Sequence, residues 1–385
     1  MVPSEHAKRR LKRIVLIGAE PVSLLNFRGD LISDLVSSGY GVTTISNLPS
    51  PQLMTKLRDL GADHKTVRFA RRGLNPFSDF ISLIKLLKIL WYERPDVVLS
   101  YTIKPVIWGG LACFMLGINH VSMITGIGSS LYSKTDIKNN LVRLIVLFLY
   151  RLSLNRAKSV IFQNQDNLDF FEKKSLISSH QGTVINGSGV NTSFYEYSPP
   201  GIKKFKFLCI ARLLKEKGIY EFIEAAEQVK LLYPDVEFQL LGGEEESGDS
   251  VPLSLIERMH ERGIITYYGE VEDVRPYLKE SSVFILPSYH EGLPRSSLEA
   301  MSTGRAVITT HAPGCKDTVE QGVNGFLAEV GNVEHLVEKI KYFIQNPIKI
   351  TEMGLASRNI VMNRFDVKII NNRLLVVIEN ACCIN

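Results

Sequence analysis

The sequence has little cysteine, and its cysteines are not spaced like metal ligands. There are five among 385 residues, an odd number without the paired spacing of a structural zinc site. No zinc site or disulfide framework is therefore predicted, and a reducing cytoplasmic compartment is expected. Cys209 lies in an apolar strand pattern and is expected to be a small buried residue.

A long hydrophobic run is also missing. The most apolar helical stretch, residues 144–150, is bracketed by Arg143 and Arg151. It is far shorter than the roughly 20 residues that a membrane-spanning helix needs. The short apolar run Ile14 to Ala19 near the start predicts a strand rather than a signal peptide. Neither a spanning helix nor a secretory leader is expected.

Two binding motifs are absent as well. No G-x-G-x-x-G follows the first predicted strand, and this motif is the main sequence evidence for a nicotinamide-binding domain. That interpretation is therefore not favoured. The basic residues are not interleaved with aromatic residues that could stack on bases, and no nucleic acid is expected as a partner.

Charge is distributed unevenly along the chain. Residues 1–200 carry 24 Lys and Arg against 14 Asp and Glu, a net +10, whereas residues 201–385 carry 21 against 26, a net −5. A basic first half suits an anionic partner such as phospholipid or polyprenyl diphosphate. A solvated basic tail would equally explain the cluster within the first thirteen residues.

The length and the element pattern predict two α/β domains. A chain of 385 residues with 45% hydrophobic residues can form two cores of ordinary size. The strand, helix and strand predicted at 13–18, 29–38 and 41–46 indicate a parallel, doubly wound sheet. A second series begins with the strand 205–210, and the aperiodic segment 191–204 reads as a linker.

The stretch Ser288 to Glu299 carries the strongest functional signal. A buried strand is predicted at 282–287 and a helix at 295–302, with Pro294 at its first position and Gly304 as its left-handed cap. Glu291 then lies at the carboxyl end of the strand, where open α/β sheets bind ligands.

The two carboxylates of this stretch flank a helix start. Glu299 lies about 7–8 Å beyond Pro294 along the helix axis. Free backbone N–H groups at the helix start would bind a phosphate. One carboxylate for sugar hydroxyls and one for ribose hydroxyls suit a sugar nucleotide; taken alone, the pair would read as two solvated helix-end charges.

The seven-residue spacing of Glu291 and Glu299 resembles the E-x7-E motif of retaining glycosyltransferases with the GT-B fold, family four. The run His290 to Thr310, Ala312 to Gly314 and Asn324 to Phe326 strengthen the resemblance. It implies two Rossmann-like, doubly wound parallel-sheet domains with a cleft between them. The first would comprise residues 1–190, with 365–385 crossing back to it, and the second residues 191–364.

The resemblance also implies roles for residues of the second half. Arg212 and Lys217 would bind the donor diphosphate, and as fixed cations they could stabilise the leaving group without a metal. Glu291 would hold sugar hydroxyls with help from the backbone of Gly292 and Leu293, and Glu299 would hold the ribose. The strand that ends at Gly242 would contact the nucleoside through its backbone, and relatives hold the base by backbone groups near the position of Val271. The acidic segment 244–250 is expected to be a solvated loop.

Candidate residues of the first half lie at its predicted strand ends. Ser23 to Arg28 resembles the N-terminal signature of the subfamily that extends sugars on lipid diphosphates, which assigns Ser23 and Arg28 to substrate binding. Lys104 and Gly126 lie on two loops expected to line the cleft, and a lysine beside a glycine-rich turn suits a diphosphate. Many relatives carry a histidine on one of these loops. This chain has none there, and His120 is expected to pack at a strand start.

The expected activity is transfer of an N-acetylhexosamine, with retention, from a UDP-sugar to an undecaprenyl-diphosphate-linked saccharide. The family's front-face mechanism needs no metal cofactor, because the leaving phosphate takes the acceptor proton. The basic first half and the apolar helices at 80–92 and 141–150 motivate peripheral association with the inner face of the cytoplasmic membrane. Packing of helix 80–92 on the sheet is the competing interpretation.

Two other functions remain open at this point. A UDP-N-acetylglucosamine 2-epimerase shares the fold but needs acid and base residues beside the sugar, and the loops of the first half lack histidine. A non-catalytic nucleotide-sugar-binding subunit would not need the complete set of Glu, Arg and Lys residues.

Overall fold

The chain forms two compact units. The computed structural model describes residues 11–70, 76–127, 137–245 and 249–383. The first unit consists of Met1–Phe162, Leu168–Ile185 and Asn371–Asn385, and the second of Gln163–Asn167 and Asn186–Ile370. Residues 1–10, which hold part of the basic N-terminal cluster, lie outside the described residues.

A seven-stranded parallel sheet forms the centre of the first unit. Its order is β3-β2-β1-β4-β5-β6-β7. The strands are β1 Arg13–Ile17, β2 Gly41–Ser46, β3 Ala62–Thr66, β4 Val97–Tyr101, β5 His120–Ile124, β6 Ser159–Phe162 and β7 Gly182–Val184. Strands β4 and β5 are buried along their whole length, which is typical of a parallel sheet covered on both faces.

The helices of this unit begin and end at recognisable signals. They are α1 Pro21–Asn26, α2 Gly29–Ser37, α3 Pro51–Asp59, α4 Pro76–Glu93, α5 Ile103–Leu116, α6 Ile137–Leu154 and α7 Gln165–Lys173, whose first three residues belong to the second unit. Pro51 opens α3, and the Ser50 hydroxyl accepts from the Leu53 N–H at 3.3 Å. Gly117 ends α5 in the left-handed conformation, with φ 68°.

A six-stranded parallel sheet forms the centre of the second unit, in the order β10-β9-β8-β11-β12-β13. The strands are β8 Lys206–Ile210, β9 Glu237–Leu241, β10 Thr266–Tyr267, β11 Val283–Leu286, β12 Ala306–Thr310 and β13 Gly325–Ala328. Phe207 of β8 stacks on Phe238 of β9 with ring centroids 5.3 Å apart, inside the apolar core.

The second unit also has short 3₁₀ turns at Lys215–Lys217 and Lys316–Thr318. Its helices are α8 Ile219–Leu232, α9 Leu253–Glu261, α10 Arg275–Glu280, α11 Arg295–Ser302, α12 Val333–Gln345, α13 Pro347–Arg364 and the start of α14 Val367–Cys383. Helix α11 has the predicted bounds, and Gly304 follows it with φ 82°. Pro294 occupies the N-cap rather than the first helical position.

Both sheets have the same relative strand order. In each, the first strand of the unit pairs on one side with the second and on the other with the fourth, which is the Rossmann arrangement. The predicted pair of doubly wound parallel sheets is confirmed. The direction in which the sheet is wound reverses between β1 and β4 and between β8 and β11, so the loops after these strands lie where such sheets bind ligands.

The segment predicted as a linker is anchored to the second unit. The Arg358 guanidinium donates to the carbonyl oxygens of Thr192, Tyr195 and Ser302 at 3.2, 3.0 and 2.7 Å. The buried Arg305 donates to the Ser198 hydroxyl at 2.9 Å. These bonds fix a segment that has no helix or strand of its own.

The last helix is divided between the units. Its residues up to Ile370 belong to the second unit, and those from Asn371 belong to the first. Within the first unit, the Asn371 side chain donates to the Asp34 carboxylate at 2.7 Å. No helix among the described residues is both long and apolar enough to cross a membrane.

Candidate active site

An ion pair lies at the carboxyl edge of the second sheet. Lys217 ends the 3₁₀ turn after β8, Glu291 lies in the loop after β11, and Lys217 Nζ is 2.7 Å from Glu291 Oε1. The two side chains are only 11% and 18% exposed. The structure therefore brings together two residues predicted for the same donor, as the strand order requires.

The backbone around this pair permits close contact between its two loops. Gly218 has φ 71°, and a Cβ there would lie 2.1 Å from the Pro287 carbonyl oxygen, so another residue would not fit. The Ser288 hydroxyl and the Tyr289 N–H both donate to the Glu216 carbonyl, at 3.0 and 2.9 Å. The loops after β8 and β11 are thereby joined.

Arg212 pairs with a different carboxylate from the one that Lys217 contacts. Its guanidinium is 56% exposed and forms an ion pair with Glu245. The acidic segment was expected to be solvated, but the Glu245 side chain is only 17% exposed. Sequence reasoning missed this partner because a run of glutamates in a loop carries no sign of which one pairs. Residues 246–248 of the segment lie outside the described residues.

Glu299 lies in a hydrogen-bonded cluster. Its Oε1 accepts from the Tyr195 hydroxyl at 2.9 Å and from Arg295 Nε at 3.2 Å. Burial raises the pKa of Glu299, while Arg295 and the Tyr195 hydroxyl favour the charged form and limit the rise. Neither partner is among the residues predicted from the sequence. The spacing of four residues between Arg295 and Glu299 on one helix is a signal for the Arg295 contact. Tyr195 reaches Glu299 only because the linker folds back onto this helix, and no sequence pattern shows that.

The glycine predicted to approach the nucleoside has a packing role. Gly242 has φ 147°, and a Cβ there would lie 1.8 Å from the Ala211 carbonyl oxygen. Its N–H donates to the carbonyl oxygen of Gly269 at 2.8 Å, and its own carbonyl oxygen accepts from the Tyr267 hydroxyl at 2.9 Å. Val271 is partly buried against the apolar cluster that contains Leu286 and Leu298. Nucleoside contacts at Gly242 and Val271 stay predictions.

Ser23 and Arg28 meet at the switch point of the first sheet. The Ser23 hydroxyl is 2.9 Å from the Tyr101 hydroxyl at the end of β4. Arg28 is 2% exposed, and its guanidinium carbon lies 5.2 Å from the centre of the Tyr101 ring. Burial raises the pKa of Tyr101 to about 12, against the opposing effects of Ser23 and Arg28. Tyr101, the centre of this cluster, is not among the residues predicted from the sequence.

Lys104 is held by an acidic partner. Lys104 Nζ lies 2.8 Å from Asp79 Oδ1, and the pair, only 13% and 3% exposed, joins α5 to α4. Its predicted contact with a diphosphate is untested. Gly126 follows β5. Thr102, before α5, has φ 67°, unusual for a β-branched residue, and its buried hydroxyl has no hydrogen-bond partner among the residues that the structure describes. Backbone strain of this kind is common beside functional sites.

His120 packs at the start of β5, as expected. Its Nε2 lies 2.7 Å from the Ser100 hydroxyl, and burial lowers its pKa to about 3, so the ring is neutral. Within the residues that the structure describes, no group of three or more His, Cys, Asp or Glu side chains is placed to hold a metal ion.

Two family models match the chain, one for each half. Residues 14–164 match the model described as glycosyl transferase 4-like. Residues 198–360 match the model described as glycosyl transferases group 1, which includes both Lys217 and the Glu291 to Glu299 stretch.

Named relatives match most of the chain. It is 30% identical over 348 residues to the N,N'-diacetylbacillosaminyl-diphospho-undecaprenol alpha-1,3-N-acetylgalactosaminyltransferase of Campylobacter jejuni, covering 87% of this chain and 90% of that protein. It is 26% identical over 380 residues to the UDP-Gal:alpha-D-GlcNAc-diphosphoundecaprenol alpha-1,3-galactosyltransferase of Escherichia coli, covering 94% and 95%. The crystal structure of Anabaena Alr3699/HepE in complex with UDP shares the fold, with a TM-score of 0.77 at 19% identity over 96% of this chain and 100% of that one.

The raised pKa of Glu299 predicts a pH-dependent effect of neutralising it. The folded protein binds the Glu299 proton more tightly than the unfolded chain, so this carboxyl destabilises the fold increasingly as pH rises from 4.5 to the raised pKa. Glu299→Gln keeps the acceptor oxygen for Tyr195 and removes the charge. Its free energy of unfolding should therefore exceed that of wild type by more at pH 8 than at pH 4. Denaturant titrations at both values measure this, and a difference independent of pH would contradict it.

Proposed function

The chain belongs to the glycosyltransferase group 1 family, and from this premise we propose that it transfers an N-acetylhexosamine from a UDP-sugar to a saccharide carried on a polyprenyl diphosphate. The observation that carries the proposal is the Lys217–Glu291 pair at the switch point of the second sheet. The named Campylobacter and Escherichia relatives, which act on undecaprenol-linked substrates by their names, support the acceptor class. The Campylobacter relative supports the donor sugar.

The proposed donor site uses charges of both signs. Lys217, with Arg212, would hold the diphosphate and stabilise the charge that develops on it when the bond to the sugar breaks. Glu291 would accept hydrogen bonds from sugar hydroxyls, and Glu299 from the ribose. An ammonium and a carboxylate 2.7 Å apart fit a donor that presents phosphate oxygens and hydroxyls next to each other.

The proposed reaction proceeds with retention and without a metal. The bond between the anomeric carbon and the leaving phosphate oxygen breaks, and an acceptor hydroxyl forms the new bond on the same face of the sugar. The acceptor proton passes to the departing phosphate oxygen, so no protein base is needed beside the anomeric carbon. Lys217 and Arg212 supply the positive charge that the leaving diphosphate requires.

An apolar and basic surface of the first unit supports membrane association. We name it the apolar face: the exposed side chains of α4 (Phe77, Phe80, Ile81, Ile84, Trp91 and Tyr92) and of α6 (Leu141, Leu144, Ile145, Phe148 and Leu152). Both helices pack against α5. Spacings of three and four residues place these side chains on one side of each helix.

The charges beside the apolar face suit an anionic bilayer. Lys85 and Lys88 are exposed on α4, and Arg151 on α6, whereas Asp79 of α4 is buried in its pair with Lys104. Helix α6 contains no acidic residue. Apolar side chains flanked by basic ones are typical of helices that lie in the membrane interface. We propose peripheral binding to the cytoplasmic face of the membrane, where the lipid-linked acceptor would be reached.

The first experiment measures UDP release from a panel of UDP-sugars, with and without membrane extract that contains polyprenyl-diphosphate sugars, all with EDTA present. Release from one UDP-N-acetylhexosamine that requires the extract and survives EDTA is expected. Interconversion of UDP-sugars without acceptor would instead indicate an epimerase. Binding of a UDP-sugar that is never consumed would indicate a non-catalytic subunit.

Two variants separate the proposed roles of the charged residues. Arg212→Ala should lower kcat by about tenfold to a hundredfold while changing the Kd for UDP less, because its charge acts mainly on the leaving diphosphate. Glu299→Gln should instead weaken UDP binding by about tenfold, since a charged hydrogen-bond acceptor for the ribose is lost. Calorimetric UDP titrations and initial rates give both quantities. Full activity in both variants would contradict the site.

If the apolar face binds the membrane, polar substitutions in it should weaken binding to lipid vesicles. Phe80→Ser combined with Phe148→Ser should lower binding to phosphatidylethanolamine–phosphatidylglycerol vesicles by about tenfold or more, since each buried phenylalanine contributes roughly 1.5–3 kcal/mol. Vesicle co-sedimentation measures it. Leu231→Ser, at a position 84% exposed in the second unit, is the matched control and should bind as wild type does. Equal binding by all three proteins would contradict the assignment.

A further inference from the structure

Asn164 is a buried residue of the first half of the sequence that belongs to the second unit. It follows β6, is 1% exposed and precedes α7 as its N-cap, where its Oδ1 accepts from the Asn167 N–H at 2.8 Å. Two further contacts fix the same short segment: Asp166 pairs with Lys316 at 2.9 Å, and Asn167 Oδ1 lies 3.3 Å from His290 Nε2.

The amide nitrogen of Asn164 contacts the loop that carries Glu291. Asn164 Nδ2 donates to the carbonyl oxygen of Gly292 at 2.5 Å and to that of Glu291 at 3.2 Å. Because Oδ1 is used by the helix cap, the orientation of the amide group is determined, and Nδ2 faces both carbonyls. One side chain thus holds two consecutive peptide groups.

A glycine packs against the same two carbonyls. A Cβ on Gly314 would lie 2.4 Å from the Glu291 carbonyl oxygen and 2.5 Å from that of Gly292. The Glu291 N–H also donates to the Pro313 carbonyl at 3.0 Å. The loop is therefore fixed between Asn164 and the segment around Gly314, and its peptide groups have little freedom to rotate.

Fixing the carbonyls fixes the N–H groups of the same peptides. In a planar trans peptide the C=O and N–H bonds point in opposite directions, and the described part of the chain has no cis peptide. The N–H groups of Gly292 and Leu293 therefore point away from Asn164. Both residues are buried, and among the described residues neither N–H donates to a protein acceptor. Buried donors of this kind are rarely left unpaired in proteins.

We infer that Asn164 is a positioning residue that directs the N–H groups of Gly292 and Leu293 at a hydroxyl oxygen of the donor sugar. A hydroxyl suits this place because it can accept from the two N–H groups and donate to the Glu291 carboxylate. An ionised phosphate oxygen could accept from the N–H groups but has no proton to donate to that carboxylate. The inference rests on the proposed function and adds to it a residue that lies 127 positions before Glu291.

Two substitutions remove the amide donor and keep the helix cap. Asn164→Ser retains a capping oxygen, and Asn164→Asp also retains the shape but sets a carboxylate against two carbonyls. Asn332→Ser is the matched control, because Asn332 caps α12 by accepting from the His335 N–H at 3.0 Å. Each protein is titrated with UDP and with the UDP-sugar that it consumes, its kcat/KM for that donor is determined, and its thermal unfolding is recorded.

Both Asn164 variants should lower kcat/KM for the UDP-sugar by about tenfold or more, with UDP affinity close to that of wild type. The Asn332→Ser control should match wild type in both. Asn164→Ser serves as the deciding variant if Asn164→Asp does not fold. Unchanged kcat/KM in Asn164→Ser, or a parallel loss of UDP affinity and of folding, would overturn the inference. A wild-type protein that binds neither UDP nor any UDP-sugar would instead refute the proposed function.

Discussion

Strands β8 and β11 are hydrogen-bonded neighbours although β9 and β10 come between them in the sequence, and the candidate site depends on that pairing. A doubly wound sheet must reverse its direction of winding at one place, and there the loops after two adjacent strands separate to opposite faces. Lys217 and Glu291 lie on those two loops. Their ion pair, the close packing of Gly218 on Pro287 and the shared bonds to Glu216 all follow from this adjacency.

The second unit keeps several charged groups in poorly solvated places, and each is compensated differently. Lys217 and Glu291 neutralise each other. Glu299 has one cationic partner, Arg295, and one hydroxyl partner, Tyr195, and burial still raises its pKa in spite of both. Arg305 is fully buried and donates to carbonyl and hydroxyl oxygens of Ser198, Ser281 and Thr303. A carboxylate held against its solvation preference is what a ligand with hydroxyl donors could stabilise, whereas both terminal nitrogens of Arg305 already donate within the fold.

In the first unit, the polar cluster around Tyr101 and the apolar face lie on different elements. Ser23, Arg28 and Tyr101 meet at the carboxyl ends of β1 and β4, where the strand order again reverses. The apolar face lies on α4 and α6, outside the sheet. Under the proposed function, the polar cluster and the apolar face would meet different parts of a lipid-linked acceptor, because its polar end and its lipid differ in the solvent they prefer.

The sequence by itself determined the alternation of strands and helices, the bounds of α11 and the positions of the two glutamates, because these depend on residues close together in the chain. The resemblance of the Glu291 to Glu299 stretch to one enzyme family also required no structure. Only the tertiary structure decided the partners. Tyr195 reaches Glu299 because Arg358 and Arg305 anchor the linker, and Glu245 rather than a neighbouring acid pairs with Arg212. Asn164 reaches the Glu291 loop from the other half of the chain. Hydrogen bonds and ion pairs join side chains at short distances in space, and no periodic pattern records which distant residues folding brings within that reach.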